Sequence, residues 1–241
     1  MIRVIALAVL PAFILIYYTY QQDKLQREPV KNLIKAFFYG WGSVFASFAV
    51  SLPAMGLGLF PDQIASLGDA FRTAFFGAAI PEETAKLLLL WLFLRKCKDF
   101  DERMDGIVYA VCVGMGFAAF ENIEYLFAAG SDWVTTGLGR SLTAIPGHFA
   151  FAVIMGYYYS LNHFDGYRAP GANIKMWLYP VLAHGLYDTI AMYSEVSPEM
   201  SGIIALVILL GCFWALKWAR GRMKKHLQSD ASDIFQTPDV Q

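Results

Sequence analysis

Seven apolar segments, each about as long as a membrane-spanning helix, dominate this 241-residue sequence. They cover approximately residues 2–20, 36–59, 71–94, 107–129, 141–161, 176–193 and 202–219. A helix that crosses the hydrocarbon core of a bilayer needs roughly 17–25 predominantly apolar residues. Charged residues make up 16% of the chain, whereas soluble domains contain about 25%. The sequence therefore predicts an all-α membrane bundle of about seven transmembrane helices.

The basic residues predict how this bundle lies in the membrane. Lys and Arg concentrate in the cytoplasmic loops of membrane proteins. Here they fall in alternate connections, and the four exceptions among the 19 basic residues are Arg3, Arg72, Lys86 and Arg140. This distribution places the N-terminus outside and the C-terminus in the cytoplasm, and the net charge of −1 gives no indication of a nucleic-acid partner. We expect one transmembrane domain over residues 1–228, with its core at 71–193, and a disordered cytoplasmic tail over 229–241.

The third apolar segment contains Glu82, Glu83 and Lys86 within five residues. Even mild insertion scales assign roughly 2.5–3.5 kcal/mol to a single charged group at the membrane centre. Glu82 and Lys86 are four residues apart and would pair on a helix, whereas Glu83 is rotated by about 100° and would share that contact less well. An ion pair that fixes helix packing is one interpretation. A functional site would need polar groups at the same depth on other helices.

Three other predicted helices supply such groups. Glu121 lies in the fourth segment, His148 in the fifth, and His184 and Asp188 in the sixth. At 1.5 Å per residue, the predicted topology brings all of them to one level between the midplane and the outer surface. His148 taken alone is more typical of a hydrogen-bonded packing residue, and the His184–Asp188 pair could be structural polarity that satisfies itself. Their shared depth, however, predicts one water-accessible polar cavity that opens outward.

Carboxylates and imidazoles around confined water, with no nucleophilic Ser or Cys among them, favour hydrolysis by an activated water. Glu82 or Glu83 would be the general base, and Glu82 is preferred if Glu83 pairs elsewhere. Lys86 would keep one member of the glutamate pair ionised. A proton-transferring glutamate of this kind needs no cofactor.

The remaining candidates would support this base. Asp188, four residues from His184, would orient the imidazole so that it supports the water or the oxyanion. Glu121 and His148 would complete the polar cluster. Zinc held by two histidines and one or two glutamates is a variant. Because the chain has no HExxH helix, we predict no metal ligand and no cofactor from the residues alone.

Four motifs follow one another along the chain, namely Glu82-Glu83-x-x-Lys86, Phe117-x-x-x-Glu121, His148, and His184-x-x-x-Asp188. This combination resembles the PrsW family of bacterial intramembrane proteases, which shares a superfamily with CAAX prenyl endopeptidases and bacteriocin-immunity-type proteases. The resemblance implies a multi-pass protein of the bacterial plasma membrane that cleaves a membrane-anchored substrate. In this family the substrate is typically an anti-sigma factor, cut on its extracytoplasmic side. The CAAX branch has a His at the position of Glu121, and the resemblance leaves both a glutamic and a metallopeptidase mechanism open.

Two non-enzymatic interpretations remain open. A proton-coupled transporter would use the Glu, His and Lys side chains as an ion relay. That function requires polar residues down to the cytoplasmic face, and the fifth and sixth segments have few below His148 and His184. A pseudoprotease that binds a partner helix would keep the fold but tolerate loss of either glutamate.

Overall fold

The computed structural model describes residues 1–236, with side chains up to residue 234. Every regular element in this part of the chain is helical, and no strand occurs in it. The helices are α1 (Ile2–Gln22), α2 (Val30–Gly56), α3 (Leu67–Arg72), α4 (Ile80–Leu94), α5 (Arg103–Ala128), α6 (Trp133–Leu142), α7 (Ala144–Ser160), α8 (Ala172–Val196) and α9 (Ser201–Gln236).

These helices form seven membrane-scale segments that correspond to the seven predicted from the sequence. Helices α3 and α4 join through a π-helix to make the third segment, and α6 and α7 make the fifth. Five segments are long and apolar enough to cross a membrane on length and composition alone. The predicted all-α membrane bundle is thus confirmed, while its orientation stays a prediction from the Lys and Arg distribution.

Helix α5 is the centre of the bundle and packs against α1, α2 and α7. It is buried along most of its length because small residues let its neighbours approach closely. A Cβ atom at Gly116 would overlap the backbone carbonyl of Phe37 in α2, and one at Gly156 of α7 would overlap that of Gly106. Close backbone packing of this kind holds helices together in lipid. It leaves Glu121 just beyond the most deeply buried part of α5.

The third segment is distorted immediately before its glutamate pair. Residues Thr73–Ala79 form a π-helix, and Pro81 is the second residue of α4, which follows it. Proline has no N–H group to donate to the preceding turn and interferes with regular α-helical bonding. Isolated π-helical turns in membrane and soluble proteins are frequent at functional sites. Here the distortion ends at Ala79, two residues before Pro81 and three before Glu82.

The last helix extends into the predicted disordered tail, and that prediction is wrong for residues 229–236, which are helical. Asp230 accepts hydrogen bonds from the backbone N–H groups of Arg103 and Met104, both at 3.0 Å. A carboxylate that caps another helix stabilises its N-terminus. The polar composition of this stretch could not indicate that long-range contact. Residues 237–241 of the predicted tail lie outside the described residues.

Candidate functional site

Lys86 lies at the centre of a buried ionic cluster. Its Nζ is 2.8 Å from Glu83 Oε1, 3.2 Å from Glu82 Oε2 and 3.3 Å from His148 Nδ1. The ammonium also lies 3.9 Å from the centroid of the Phe117 ring. The expectation that Lys86 pairs better with Glu82 is wrong, because residues three and four positions away both lie on its side of the helix. Lys86 therefore binds both carboxylates at once.

The two glutamates differ in their access to solvent. The Glu83 side chain is fully buried, and its Oε1 accepts from Lys86 and contacts His184 Nδ1 at 2.8 Å. Its Oε2 has no hydrogen-bond partner within the described part of the chain. The Glu82 side chain is 14% exposed and lines an open cavity. A water molecule or a substrate in that cavity can therefore reach Glu82 but not Glu83.

His184 bridges Glu83 and Asp188. Its Nδ1 faces Glu83, and its Nε2 is 3.1 Å from Asp188 Oδ2. The Phe151 ring stacks on the imidazole with a centroid separation of 4.9 Å. Because both ring nitrogens face carboxylates, an imidazolium would donate a hydrogen bond at each. These contacts fix the orientation of the His184 ring.

His148 connects Lys86 to Glu121. An ammonium can only donate, so His148 Nδ1 accepts from Lys86 and its Nε2–H donates to Glu121 Oε2 at 3.0 Å. Arg140 binds the same Glu121 oxygen through Nη2 at 2.6 Å. From the sequence, Arg140 was predicted only as a basic residue on the outer side, and this contact was not predicted. The feature that could have indicated it is a lone basic residue, Arg140, eight positions before His148 in the chain.

A cavity of about 240 Å³ opens beside these side chains. It lies toward the end of the bundle where α5 and α8 end and α7 begins. Glu83 and Lys86 lie behind its wall, and Glu124 is exposed outside the cluster. All seven residues selected from the sequence are therefore in one connected cluster, although their roles stay predictions. The polar and ionisable residues that line the cavity are Glu82, Glu121, Tyr125, Arg140, His148, His184, Tyr187, Asp188 and Glu195.

The residues also fit a divalent metal ion. Glu82, Glu83, His148 and His184 each offer one ligand atom, and these atoms all lie within 4.8 Å of one another. Imidazole nitrogens and carboxylate oxygens are donors that zinc accepts. The unpartnered Oε2 of Glu83 retains free lone pairs for such an ion. The prediction of no metal ligand did not include this donor set, because its members lie on three different helices and not in one HExxH helix.

The fold and this cluster define a multi-pass membrane protein whose buried carboxylates and imidazoles are typical of an intramembrane hydrolase. Residues 28–216 match the family described as PrsW family intramembrane metalloprotease. The chain belongs to this family, and the resemblance indicated by its four motifs is confirmed. No solved structure matches the chain.

Bacterial relatives named Protease PrsW cover most of the sequence. The chain is 32% identical to the protein of Clostridioides difficile over 95% of its own length and 93% of the relative. It is 30% identical to that of Geobacillus kaustophilus over 92% and 94% of the two chains. It is 33% identical to that of Bacillus subtilis over 79% and 83%. The protein is therefore a membrane peptidase that acts on membrane-anchored substrates within the bilayer.

Proposed function

We propose that this protein is an endopeptidase that cleaves its substrate near the extracytoplasmic side, with Glu82 activating the attacking water. The observation that carries the proposal is the difference between the two glutamates. Glu82 faces the cavity, whereas Glu83 is fully buried against Lys86 and His184. A general base must reach the proton that it abstracts.

In this proposal the proton moves through one carboxylate. Glu82 removes a proton from the water as the water attacks the peptide carbonyl carbon. It then donates that proton to the leaving amine as the C–N bond breaks. Removal of such a base slows hydrolysis by roughly 10²–10⁴-fold.

His184 would stabilise the oxyanion of the tetrahedral intermediate. Its Nε2 lies 3.9 Å from Glu82 Oε2 and 3.1 Å from Asp188 Oδ2, so an N–H group is held beside the proposed base. Glu83 and Asp188 accept from both ring N–H groups, so His184 would act on the oxyanion chiefly through the charge of a fixed imidazolium, which needs little reorientation during the reaction. His148 and Glu121 would position Lys86 on the opposite side.

The family description supports a metal ion in the same cluster. Glu83, His148 and His184 would hold it, with His148 Nδ1 giving up its contact with Lys86. Glu82 would stay beside the cavity, and zinc is the ion that this donor set favours. Such an ion supplies Lewis-acid polarisation of a carbonyl and lowers the pKa of water. Glu82 keeps its role as proton acceptor and donor in both cases. Whether hydrolysis is glutamic or metal-dependent can be tested with a strong chelator followed by addition of zinc.

The expected substrate depends on which side of the membrane the cavity faces. The distribution of Lys and Arg supports a cavity that faces the outer side of a bacterial inner membrane. A membrane-anchored anti-sigma factor, cleaved first on its extracytoplasmic side, is the substrate type that the family resemblance implies.

Cleavage of a single-span reporter by the purified protein tests this function. Mass spectrometry of the fragments would place the cut relative to the reporter's known outer flank. We expect one dominant cut in the outer half of the span or just beyond it. Intact reporter after long incubation would argue for the relay or the pseudoprotease, and a cut near the cytoplasmic flank would reject the proposed orientation.

A further inference from the structure

A second cavity, which we call the α9 cavity, lies beside the proposed catalytic cavity between α7, α8 and α9. Its volume is about 260 Å³, well above the roughly 30 Å³ that one water occupies in the liquid. Its walls are almost entirely apolar. They include Gly147 and Phe151 of α7, Ala183 and Tyr187 of α8, and Gly211 and Cys212 of α9.

The two cavities meet at Tyr187, which lines both of them. Phe151 forms another part of the shared wall. Its ring stacks on His184 and lies edge-on to the Tyr187 ring, with the two ring centroids 6.2 Å apart. Gly147 and Ala183 directly precede His148 and His184 in the chain. The α9 cavity therefore lies at the depth of the proposed chemistry.

The α9 cavity is partly open on its α9 side, where Gly211 is exposed. The α9 wall contributes little to closing it. A Cβ atom placed on Gly211 would meet no heavy atom within 4 Å. The α9 cavity therefore has room for an apolar group that comes from outside the bundle.

We propose that the α9 cavity receives one apolar side chain of the substrate, of the size of leucine or phenylalanine, from a residue next to the scissile bond. This inference rests on the proposed peptidase function. An extended peptide directs successive side chains to opposite sides, so a strand whose carbonyl lies beside Glu82 can direct one side chain past Tyr187. The apolar walls would exclude charged side chains, because their desolvation would not be compensated. The α9 cavity thus sets the sequence preference of cleavage.

Filling the cavity tests this proposal. Reporters that carry Ala, Leu or Phe at each residue flanking the scissile bond would be cleaved by the wild type, by Gly211→Leu and by the matched control Gly221→Leu. Gly221 is on the same helix and also has open space around a Cβ atom. A hydrophobic pocket discriminates between substrates by about 10–200-fold in kcat/KM for each methylene group that is missing. We expect the wild type to prefer Leu or Phe over Ala at one position by at least about 10-fold in kcat/KM.

Gly211→Leu should remove most of that preference, and Gly221→Leu should retain it. Ala215→Leu, one turn farther along the same wall, should shift the preference in the same direction. Agreement between the two variants would show that the effect does not come from a folding defect of Gly211→Leu alone. An unchanged preference in both cavity-filling variants would overturn the inference while leaving the peptidase function intact. An equal loss on every reporter would also overturn it and would indicate a lipid acyl chain as the occupant. Absence of cleavage by the wild type would reject the proposed function and this inference together.

Discussion

Arg140 and Glu121 form an ion pair of 2.6 Å that ties the short helix α6 to the end of α5. The guanidinium also donates to Asn122 Oδ1 at 2.6 Å, and Asn122 in turn donates to the backbone carbonyl of Ala8. The pair therefore belongs to a chain of contacts that joins α1, α5 and α6. It holds the Glu121 carboxylate against His148 at the edge of the proposed catalytic cavity.

We predict that Arg140→Ala lowers cleavage by roughly 10–100-fold, the range found when the partner of a site residue is removed. Glu121 would lose its permanent cation and would no longer hold His148 in one position. Arg140→Lys should restore little activity, because an ammonium does not reproduce the two-point contact of a guanidinium. Reporter cleavage would be measured beside Arg72→Ala, whose guanidinium binds the loop carbonyls of Gly58 and Leu59. Equal activity of the Arg140 and Arg72 variants would contradict this role.

Loss of Lys86 should destabilise the whole bundle. Its side chain and that of Glu83 are 4% and 0% exposed, so Lys86→Met would leave buried carboxylates without their cation. Breaking a buried pair in this way costs about 3–5 kcal/mol. Denaturant unfolding in detergent micelles would measure the change in the free energy of unfolding, with the exposed Lys24→Met as control. A change within about 0.5 kcal/mol, typical of surface substitutions, would show that the cluster does not depend on Lys86.

Acidic residues in the connections at the opposite end of the bundle predict a pH dependence of stability. Burial raises the pKa of Asp23 to about 6 and those of Glu28 and Glu102 to about 7. The folded state then binds these protons more tightly than the unfolded state. The resulting stabilisation is complete below about pH 4 and is lost as the pH rises through about 6–7.

Thermal unfolding in detergent should therefore show a falling Tm between about pH 5 and pH 8. Asp23→Asn removes one of the titrating groups and should flatten this slope, and Asp62→Asn, at an exposed position, serves as the control variant. A Tm that rises over the same interval in the wild type would contradict the assignment. So would an identical slope in the wild type and Asp23→Asn.

The helices and the convergence of the polar side chains could both be predicted from the sequence. Long apolar segments leave few alternatives to membrane-spanning helices, because lipid offers no partner for free backbone N–H and C=O groups. The depth of Glu82, Glu121, His148 and His184 follows from counting 1.5 Å per residue along each segment. Both inferences depend on local spacing alone.

The remaining features depend on packing between distant segments. Arg140 reaches Glu121 only because α6 folds back along α5, and nothing in its own neighbourhood indicates that path. The helical continuation through Asp230 depends on the unpaired N–H groups at the start of α5, more than 120 residues earlier. The different burial of Glu82 and Glu83 likewise depends on which helices cover each side of α4.

The role of Glu82 is tested most directly by the rate of reporter cleavage in Glu82→Gln, measured beside the exposed control Glu124→Gln. Glutamine keeps the size of the side chain but cannot accept the proton from water. We expect Glu82→Gln to lose at least about 10²-fold in kcat with a Tm close to that of the wild type, while Glu124→Gln cleaves normally. A folded Glu82→Gln protein that cleaves at the wild-type rate would contradict the assignment of Glu82 as the base.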